Sequence, residues 1–389
     1  MRFAVTYLVE SDAASIEARA KGIAVEQSVE MPLEAVTDER VLADIVGEVE
    51  AIQDQGHGRF AVRIALASAT VGTDAGQFMN MLFGNTSLQE DVILHDVAVP
   101  ETLREAFGGP RHGIPELRRK LHLHERAFAG SALKPQGLTP GDLALLAERF
   151  ARGGLDFVKD DHGLADQHYS RFADRIRAVT AGIAQGVRAT GHPTRYIPSL
   201  TGNLDQLRAQ AALAREEGID CVMVAPMVSG VSSVQALVAE FPDLAFFAHP
   251  SLGGLRISPD LLIGKLFPLI GADAVIFPSF GGRFGYSPET CRRLALHARC
   301  GLTGQEVAGH VGSGYTGPGH AGSGPTGSGP RPALPVPAGG MTLARTGEIL
   351  DFYGPDTMLL IGGNLLLARE HIATEAEAFV RAVADHRYT

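Results

Sequence analysis

Short apolar segments alternate with helical patterns from about residue 124 to the end of the chain. Eight of the apolar segments have the length and composition of strands: residues 127–134, 157–161, 195–202, 221–227, 244–250, 274–280, 334–340 and 358–363. Helical spacing of apolar residues separates most of them, as in residues 141–152, 169–185 and 204–217. Such alternation predicts a parallel sheet. Eight units in about 265 residues fit an α/β fold, the (β/α)8 TIM barrel, whose active site lies at the carboxyl ends of the strands.

A doubly wound open sheet is the alternative for the same alternation. It would carry a Gly-rich dinucleotide-binding turn after an early strand, and the sequence contains none. We therefore predict a barrel domain over residues 124–389, with a Gly-, Ser- and Pro-rich insertion at about 303–332. That composition cannot bury a core and is typical of a flexible loop. A solvated linker explains its two histidines, His310 and His320, better than a metal site does.

The first 123 residues follow a different pattern, which predicts a separate amino-terminal α+β domain of ferredoxin-like type. Residues 2–10, 59–67 and 91–99 have the alternation of strands, and residues 13–25 have the pattern of a helix. Residues 38–54 are also predicted as a helix, because five apolar residues recur there at close to helical spacing: Val41, Leu42, Ile45, Val46 and Val49.

Composition narrows the class of protein. The 389 residues carry a formal net charge of -10, which argues against a nucleic-acid or anionic-membrane partner but not against a small anionic substrate. No apolar stretch has the length that spans a bilayer, and the first residues alternate like a strand, unlike a secretion signal. An odd number of cysteines without metal-finger spacing is typical of free thiols in a reducing compartment: Cys221, Cys291 and Cys300. We predict a cytoplasmic protein.

The most informative run is Gly-Gly-Leu-Asp-Phe-Val-Lys-Asp-Asp-His at residues 153–162. It places a lysine, two carboxylates and an imidazole where a predicted strand ends. Hard cations need oxygen ligands on rigid elements, and adjacent residues at a strand end can direct several at one point. A solvated turn is the ordinary explanation of an isolated Lys-Asp-Asp triplet. The strand before it and the pattern after it favour a functional site.

Other predicted strands also end in residues that can carry chemistry. The first strand of the barrel ends at Lys134, the fifth at His249, and the last two end in Gly339-Gly340 and Gly362-Gly363. Backbone N–H groups after the last two strands can bind a phosphate, although the glycines could instead serve only tight turns. Lys134 is either an acid–base catalyst or a lysine that extends to solvent. His249, taken alone, would be a core histidine.

The run at 153–162 closely resembles the metal-site motif of the RuBisCO large-subunit superfamily. In that family a lysine carbamylated by CO2, an aspartate and a glutamate hold Mg2+. The resemblance implies that Lys159 is the carbamylated lysine and that Asp161 is the aspartate ligand. His162 stands in place of the glutamate, and imidazole suits transition metals better than Mg2+.

The resemblance extends over nearly the whole chain. It implies a catalytic role for Lys134 and for His249, and a phosphate site made by three glycines: Gly340, Gly362 and Gly363. In the amino-terminal domain, Glu26-Gln27-Ser28 resembles the family's Glu-Ser-Ser segment. Gly84-Asn85 resembles the Gly-Asn whose asparagine reaches the active site of the other subunit. A homodimer, or an oligomer built from dimers, with active sites shared between subunits is therefore implied.

Departures from the family pattern identify the branch. Carboxylases hold a second phosphate with an Arg, a His and a Ser, and the matching positions here have other residues: Pro250, Ile276 and Ala338. Arg283 stands near the place of the lysine in the mobile loop after the sixth strand. The tryptophan of the other phosphate site has no counterpart, since the chain has no Trp and Pro32 takes its place. This pattern is similar to that of the RuBisCO-like proteins, which lack carboxylase activity.

The resemblance implies an enzyme that removes a proton next to a carbonyl of a singly phosphorylated keto sugar or keto sugar acid. The metal-stabilised enediolate then leads to enolisation, isomerisation or decarboxylation, which the site residues alone do not separate. Two other classes stay open. One is a metal-independent small-molecule binding or regulatory protein. The other is a different phosphate-binding barrel, such as an aldolase that uses Lys134 as a Schiff base.

Overall fold

The computed structural model describes residues 1–254, 256–300 and 331–388, so the predicted insertion at about 303–332 lies almost entirely outside the described residues. The amino-terminal domain contains four strands: β1 (Arg2–Glu10), β2 (Glu48–Asp54), β3 (Arg59–Ala67) and β4 (Val92–Val97). They form an antiparallel sheet in the order β2-β3-β1-β4. With the helices α1 (Ile16–Glu26), α2 (Glu39–Asp44) and α3 (Ala75–Phe83), this is the predicted ferredoxin-like arrangement.

The predicted helix over residues 38–54 is wrong. Helix α2 ends at Asp44, and strand β2 begins at Glu48. Between them lies Gly47, where a Cβ atom would sit only 2.6 Å from the backbone oxygen of Ala24. From Glu48 onwards the chain pairs with β3. The ladder of hydrogen bonds to β3, and the burial that comes with it, outweigh a weak local preference for helix.

The barrel domain contains all eight predicted strands: β5 (Phe128–Leu133), β6 (Phe157–Asp160), β7 (Arg195–Ile197), β8 (Cys221–Val224), β9 (Ala245–Ala248), β10 (Ala274–Pro278), β11 (Leu334–Ala338) and β12 (Met358–Ile361). They lie in the order β7-β6-β5-β12-β11-β10-β9-β8, and all the pairs are parallel. A parallel bridge between Ser199 and Met223 joins the two ends of the sheet. The predicted eight-stranded barrel is confirmed.

Helices connect the two domains, separate the strands and cover the outside of the barrel. They are α4 (Glu101–Phe107), α5 (Gly113–Leu121), α6 (Pro140–Arg152), α7 (Phe172–Thr190), α8 (Leu204–Glu216), α9 (Pro226–Ser229), α10 (Val231–Glu240), α11 (Pro259–Leu261), α12 (Phe267–Leu269), α13 (Pro288–Cys300), α14 (Thr346–Tyr353), α15 (Gly363–Leu366) and α16 (Ile372–Ala384). A π-helical turn, Leu262–Leu266, joins α11 to α12. In the part of the chain that the structure describes, no helix has the length and apolar character that crossing a membrane requires.

The barrel interior is packed with apolar side chains, so it is a core and not a channel. Phe157 lies against Phe128 and Phe247, with ring centroids 5.8 and 5.5 Å apart. Helix α5 closes the amino-terminal end of the barrel with three buried residues of the same cluster: Ile114, Leu117 and Leu121. Because that end is covered, we expect the active site at the opposite end of the barrel, where the strands have their carboxyl termini.

A buried ion pair next to the start of β6 provides a test of this packing. Asp156 accepts two hydrogen bonds of 2.7 Å from the guanidinium of Arg126 and one of 2.7 Å from the backbone N–H of Ala129. Burial alone would raise the pKa of Asp156, but hydrogen bonds from His192 and Arg126 lower it below its ordinary value. The pair therefore stabilises the fold above the unfolded-state pKa of Asp156, and this stability is lost as the pH falls through the folded-state pKa.

We expect Asp156→Asn to lower the free energy of unfolding at neutral pH by about 3 kcal/mol, because it leaves the charge of Arg126 without its buried partner. Urea denaturation measures the loss, which should shrink on the acid side as the wild-type carboxylate becomes protonated. Asp205→Asn is the matched control, since its side chain is 92% exposed and its partner Arg208 lies at the surface. An equal, small effect of both substitutions would contradict the role given to Asp156.

Candidate active site

The carboxyl ends of β5, β6 and β9 bring the predicted site residues together. In the β5–β6 ladder Ala132 pairs with Lys159 and Leu133 with Asp160, so Lys134 and Asp161 follow at the same level. The alternation of a strand explains which residues of β6 face the site. Phe157 belongs to the interior of the barrel, so Lys159, two residues further on, points to the same side and the next residue, Asp160, points outward.

Asp160 therefore does not belong to the site and instead holds the neighbouring elements in place. Its carboxylate accepts hydrogen bonds from Arg175 of α7 at 3.0 Å, from the hydroxyl of Tyr196 at 2.7 Å and from the backbone N–H of Ser199 at 3.0 Å. The side chains of Asp160 and Arg175 are both fully buried. This network ties β6, α7 and β7 together directly behind Lys159 and Asp161.

Lys159 is a buried lysine with an altered acidity. Only 4% of the residue is exposed, and its Nζ donates a hydrogen bond of 2.6 Å to the backbone oxygen of Asp160. Burial lowers the pKa of Lys159 to about 8, against the opposing effect of the nearby carboxylates. A substantial fraction of the amine is therefore neutral near pH 8, and neutral amine is the form that reacts with CO2 or accepts a proton.

Lys134 and Asp161 form an ion pair at the mouth of the barrel. The Oδ1 atom of Asp161 also accepts a hydrogen bond of 3.1 Å from the backbone N–H of Gly163. Burial would raise the pKa of Asp161, but the hydrogen bonds from Lys134 and Gly163 outweigh it and lower that pKa to about 2. Asp161 is thus a carboxylate at every physiological pH.

His162 and His249 stack on each other beside this pair. Their ring centroids are 4.4 Å apart and their planes differ by 6°. The Nδ1 atom of His249 lies 2.8 Å from the hydroxyl of Ser251. Burial, and then the positive charge of Lys159, lower the pKa of His249 to about 2, and burial also lowers the pKa of His162. Both rings are therefore neutral at pH 7 and can donate or accept hydrogen bonds.

Three glycines lie at the ends of the last two strands, where a phosphate site was predicted. Gly340 has a positive φ of 71°, and a Cβ atom there would lie 2.8 Å from the Cα of Gly282 in the loop after β10. At Gly362 and Gly363 a Cβ atom would meet no atom within 4 Å, so there is open space beside the backbone. Arg283, in the same loop as Gly282, is exposed and lies 4.8 Å from the ring of Phe284.

The two amino-terminal candidates lie together, on their own domain. The side-chain amide of Asn85 donates hydrogen bonds of 3.0 Å to Glu26 and 2.7 Å to Glu30. Within the described residues, the hydrogen bonds of these side chains join them to each other and not to the barrel mouth of the same chain. Their predicted role at the active site of a partner subunit stays a prediction.

The unmodified side chains offer an incomplete metal site. Among residues 1–254, 256–300 and 331–388, no three His, Cys, Asp or Glu side chains are grouped to hold an ion. However, Asp161 Oδ1 and His162 Nδ1 are 3.4 Å apart, close to the separation of about 3 Å expected for neighbouring ligands of one cation. A carbamate on Lys159 would add the missing oxygens. The donor set therefore fits a divalent cation in the carbamylated form.

A pocket beside the two histidines was not predicted from the sequence. It has a volume of about 220 Å³, and its lining comes from the end of β8 and from the segments that follow β6, β7, β8 and β9: His162, Ser199, Leu200, Thr201, Met223, Val224, Ala225, Val228, Ser229, His249 and Ser251. The only feature of the sequence that could have indicated this pocket is the position of its residues at or after the ends of strands. Hydroxyl and aliphatic residues at such positions form no recognisable motif.

Comparison with known proteins gives a consistent picture. The family described as ribulose bisphosphate carboxylase large chain, catalytic domain, matches residues 113–255. The chain is 54% identical to the 5-methylthioribulose-1-phosphate isomerase of Rhodospirillum rubrum, covering 98% of this chain and 96% of the relative. It is 48% identical to ribulose bisphosphate carboxylase-like protein 1 of Rhodopseudomonas palustris, covering 99% and 98%. The crystal structure of a Rubisco-like protein from Rhodopseudomonas palustris matches with a TM-score of 0.87 and 43% identity, over 100% of this chain and 99% of that chain.

Proposed function

The chain belongs to the RuBisCO large-chain family, in its non-carboxylating RuBisCO-like branch, and from this premise we propose that it isomerises a singly phosphorylated ketopentose through an enediolate. As a RuBisCO-like protein it is an enzyme and not a CO2-fixing carboxylase. The substrate class we propose is a 5-alkylthio-ketopentose 1-phosphate, because the relative with 54% identity is named for such a substrate.

The observation that carries the proposal is the grouping of two lysines with an aspartate at one mouth of the barrel. Lys159 has a pKa of about 8, Asp161 is permanently ionised, and Lys134 lies against Asp161. Groups of this kind can take a proton from the carbon next to a carbonyl and return one to the carbonyl carbon. No other reactant is needed, because an isomerisation conserves every atom and electron.

The neutral imidazole of His249 can hold the substrate during this transfer. Its Nδ1 is engaged with Ser251, which leaves Nε2 for a hydrogen bond to an oxygen of the enediolate. Such a bond strengthens as negative charge develops on that oxygen. In the carbamylated form, Lys159, Asp161 and His162 would instead hold Mg2+, and Lys134 would remain as the amine that moves the proton. The ion when bound would neutralise charge on the substrate oxygens.

A single phosphate is consistent with the residues around the mouth. We assign it to the backbone N–H groups of Gly340, Gly362 and Gly363, where open space adjoins the last two glycines. At the positions of the carboxylase's second phosphate, Ile276 is 2% exposed and belongs to the apolar barrel interior. Pro250 and Ala338 also lack a side-chain donor. A second charged phosphate placed there would remain desolvated and unpaired, which is costly.

The Schiff-base alternative is less well supported. A nucleophilic lysine needs an amine that is free to attack a carbonyl, whereas Lys134 lies in an ion pair with Asp161.

Proton transfer can be tested directly in heavy water. The enzyme with Mg2+ and bicarbonate is incubated with 5-methylthioribulose 1-phosphate in D2O, and the product is followed by phosphorus and carbon NMR. We expect a new isomer in which the carbon of the original carbonyl carries deuterium. Recovery of the substrate unchanged, with no deuterium, would contradict the proposed function.

A further inference from the structure

The pocket beside the stacked histidines lies directly across the barrel mouth from the proposed phosphate site. Strand β8 is four strands away from β12 in either direction around the closed sheet. The pocket is centred on the segment after β8, and Gly362 and Gly363 follow β12. Lys159 and Asp161, at the end of β6, lie midway between these two positions. A substrate whose phosphate lies on the glycines and whose carbonyl lies over β6 therefore directs its other end toward the pocket.

The lining of this pocket suits an apolar group better than a charged one. In the described part of the chain, the eleven residues that line it include no Lys, Arg, Asp or Glu. Five of them are aliphatic or contain a thioether: Leu200, Met223, Val224, Ala225 and Val228. The other six are serines, a threonine and the two histidines, which carry no fixed charge of opposite sign to a phosphate. Thioether sulfur makes favourable contacts with aromatic rings.

The size of the pocket fits a short tail. Its volume of about 220 Å³ is several times the roughly 30 Å³ that one water molecule takes in the liquid. A chain of a few carbon and sulfur atoms has room there, and a second phosphate would find no lysine or arginine among the lining residues. Burial of the tail would add transition-state binding that a polar end group does not obtain.

We propose that this pocket binds the unphosphorylated end of the substrate and selects an alkylthio group there, with Val228 as the residue that sets its length. The proposal rests on the proposed function, since it takes the phosphate and carbonyl positions from it. Val228 belongs to the short helix α9 after β8, lines the pocket and is 50% exposed. An alkylthio group would cover this exposed surface.

The test compares a series of ketopentose 1-phosphates that differ only at carbon 5: hydroxy, methylthio, ethylthio and propylthio. For the wild-type enzyme we expect kcat/KM to be about ten to a hundred times higher with methylthio than with hydroxy. Val228→Phe should lower kcat/KM for the methylthio substrate by about tenfold and for the propylthio substrate by more, with a smaller effect on the hydroxy substrate. Val228→Ala should shift the preference toward the longer tails.

Leu145→Phe is the matched control, because Leu145 is also 50% exposed but lies on α6, outside the pocket. This substitution should leave kcat/KM unchanged for all four substrates. Thermal melting checks that each variant is folded. Equal kcat/KM for the hydroxy and methylthio substrates, or an equal effect of Val228→Phe on all four, would overturn the pocket assignment while leaving the isomerase proposal intact. No turnover of any member by the wild type would instead remove the proposed function.

Discussion

Lys159→Met is expected to lower turnover of 5-methylthioribulose 1-phosphate by about a thousandfold or more. The substitution keeps the length of a side chain that is 4% exposed, so the fold should be preserved. It removes an amine whose pKa burial has lowered to about 8, and with it both the proposed carbamate and the proposed Mg2+ site. Steady-state kinetics measure the loss of turnover. Carbon NMR with labelled CO2 measures the loss of the carbamate, and calorimetric titration with Mg2+ measures the loss of metal binding.

Lys120→Met provides the control for this prediction. Lys120 is also a largely buried lysine in an ion pair, with Asp220 at 2.9 Å, but it belongs to α5 at the closed end of the barrel. Its substitution should leave kcat/KM within a few-fold of the wild-type value. If Lys159→Met retained comparable turnover, the assignment of the active site to the end of β6 would be wrong.

Two inactive variants should restore activity to each other when their subunits exchange. In the proposed dimer each active site combines Lys159 of one subunit with Asn85 of the other. A Lys159→Met chain paired with an Asn85→Ala chain then has one doubly altered site and one intact site. After random exchange of equal amounts, about a quarter of the sites are intact. We expect a corresponding recovery of activity, measured after exchange in mild denaturant or by co-expression with two affinity tags.

The control mixture pairs Lys159→Met with Lys134→Ala. Both of these residues lie in the same barrel, so every site of a mixed dimer remains altered and no recovery is expected. Absence of recovery in the Lys159–Asn85 mixture despite demonstrated exchange, or a monomer by light scattering at assay concentration, would rule out the shared site. Recovery in both mixtures would show instead that the assay does not report on sharing.

The strands could be predicted from the sequence because their patterns are strong and their ends are marked. Strands β1 and β3 match their predicted bounds, and every barrel strand lies within its predicted segment. The helix predicted over residues 38–54 failed because its apolar spacing is compatible with two structures. Pairing of β2 with β3 decides between them, and this long-range contact cannot be read from a local pattern.

The residues of the candidate site also divide into those that the sequence could predict and those that it could not. Lys134, Lys159, Asp161 and His249 could be singled out, because strand ends and a motif mark them. The outward position of Asp160 also follows from strand alternation, once one residue of β6 is placed. The stack of His162 on His249 and the pocket beside it depend instead on how the loops after four strands pack together. Ordinary serines and aliphatic residues line that pocket, and nothing in their spacing distinguishes them from other loop residues.

The most direct test of a non-carboxylating isomerase supplies two substrates under the same conditions. The enzyme receives carbon-14 bicarbonate and Mg2+, with either 5-methylthioribulose 1-phosphate or ribulose 1,5-bisphosphate, and acid-stable label and product composition are measured. We expect the first substrate to be converted to an isomer that carries no label, and the second to yield no labelled acid. Acid-stable label fixed from the bisphosphate, with no isomer formed from the monophosphate, would contradict the proposed function.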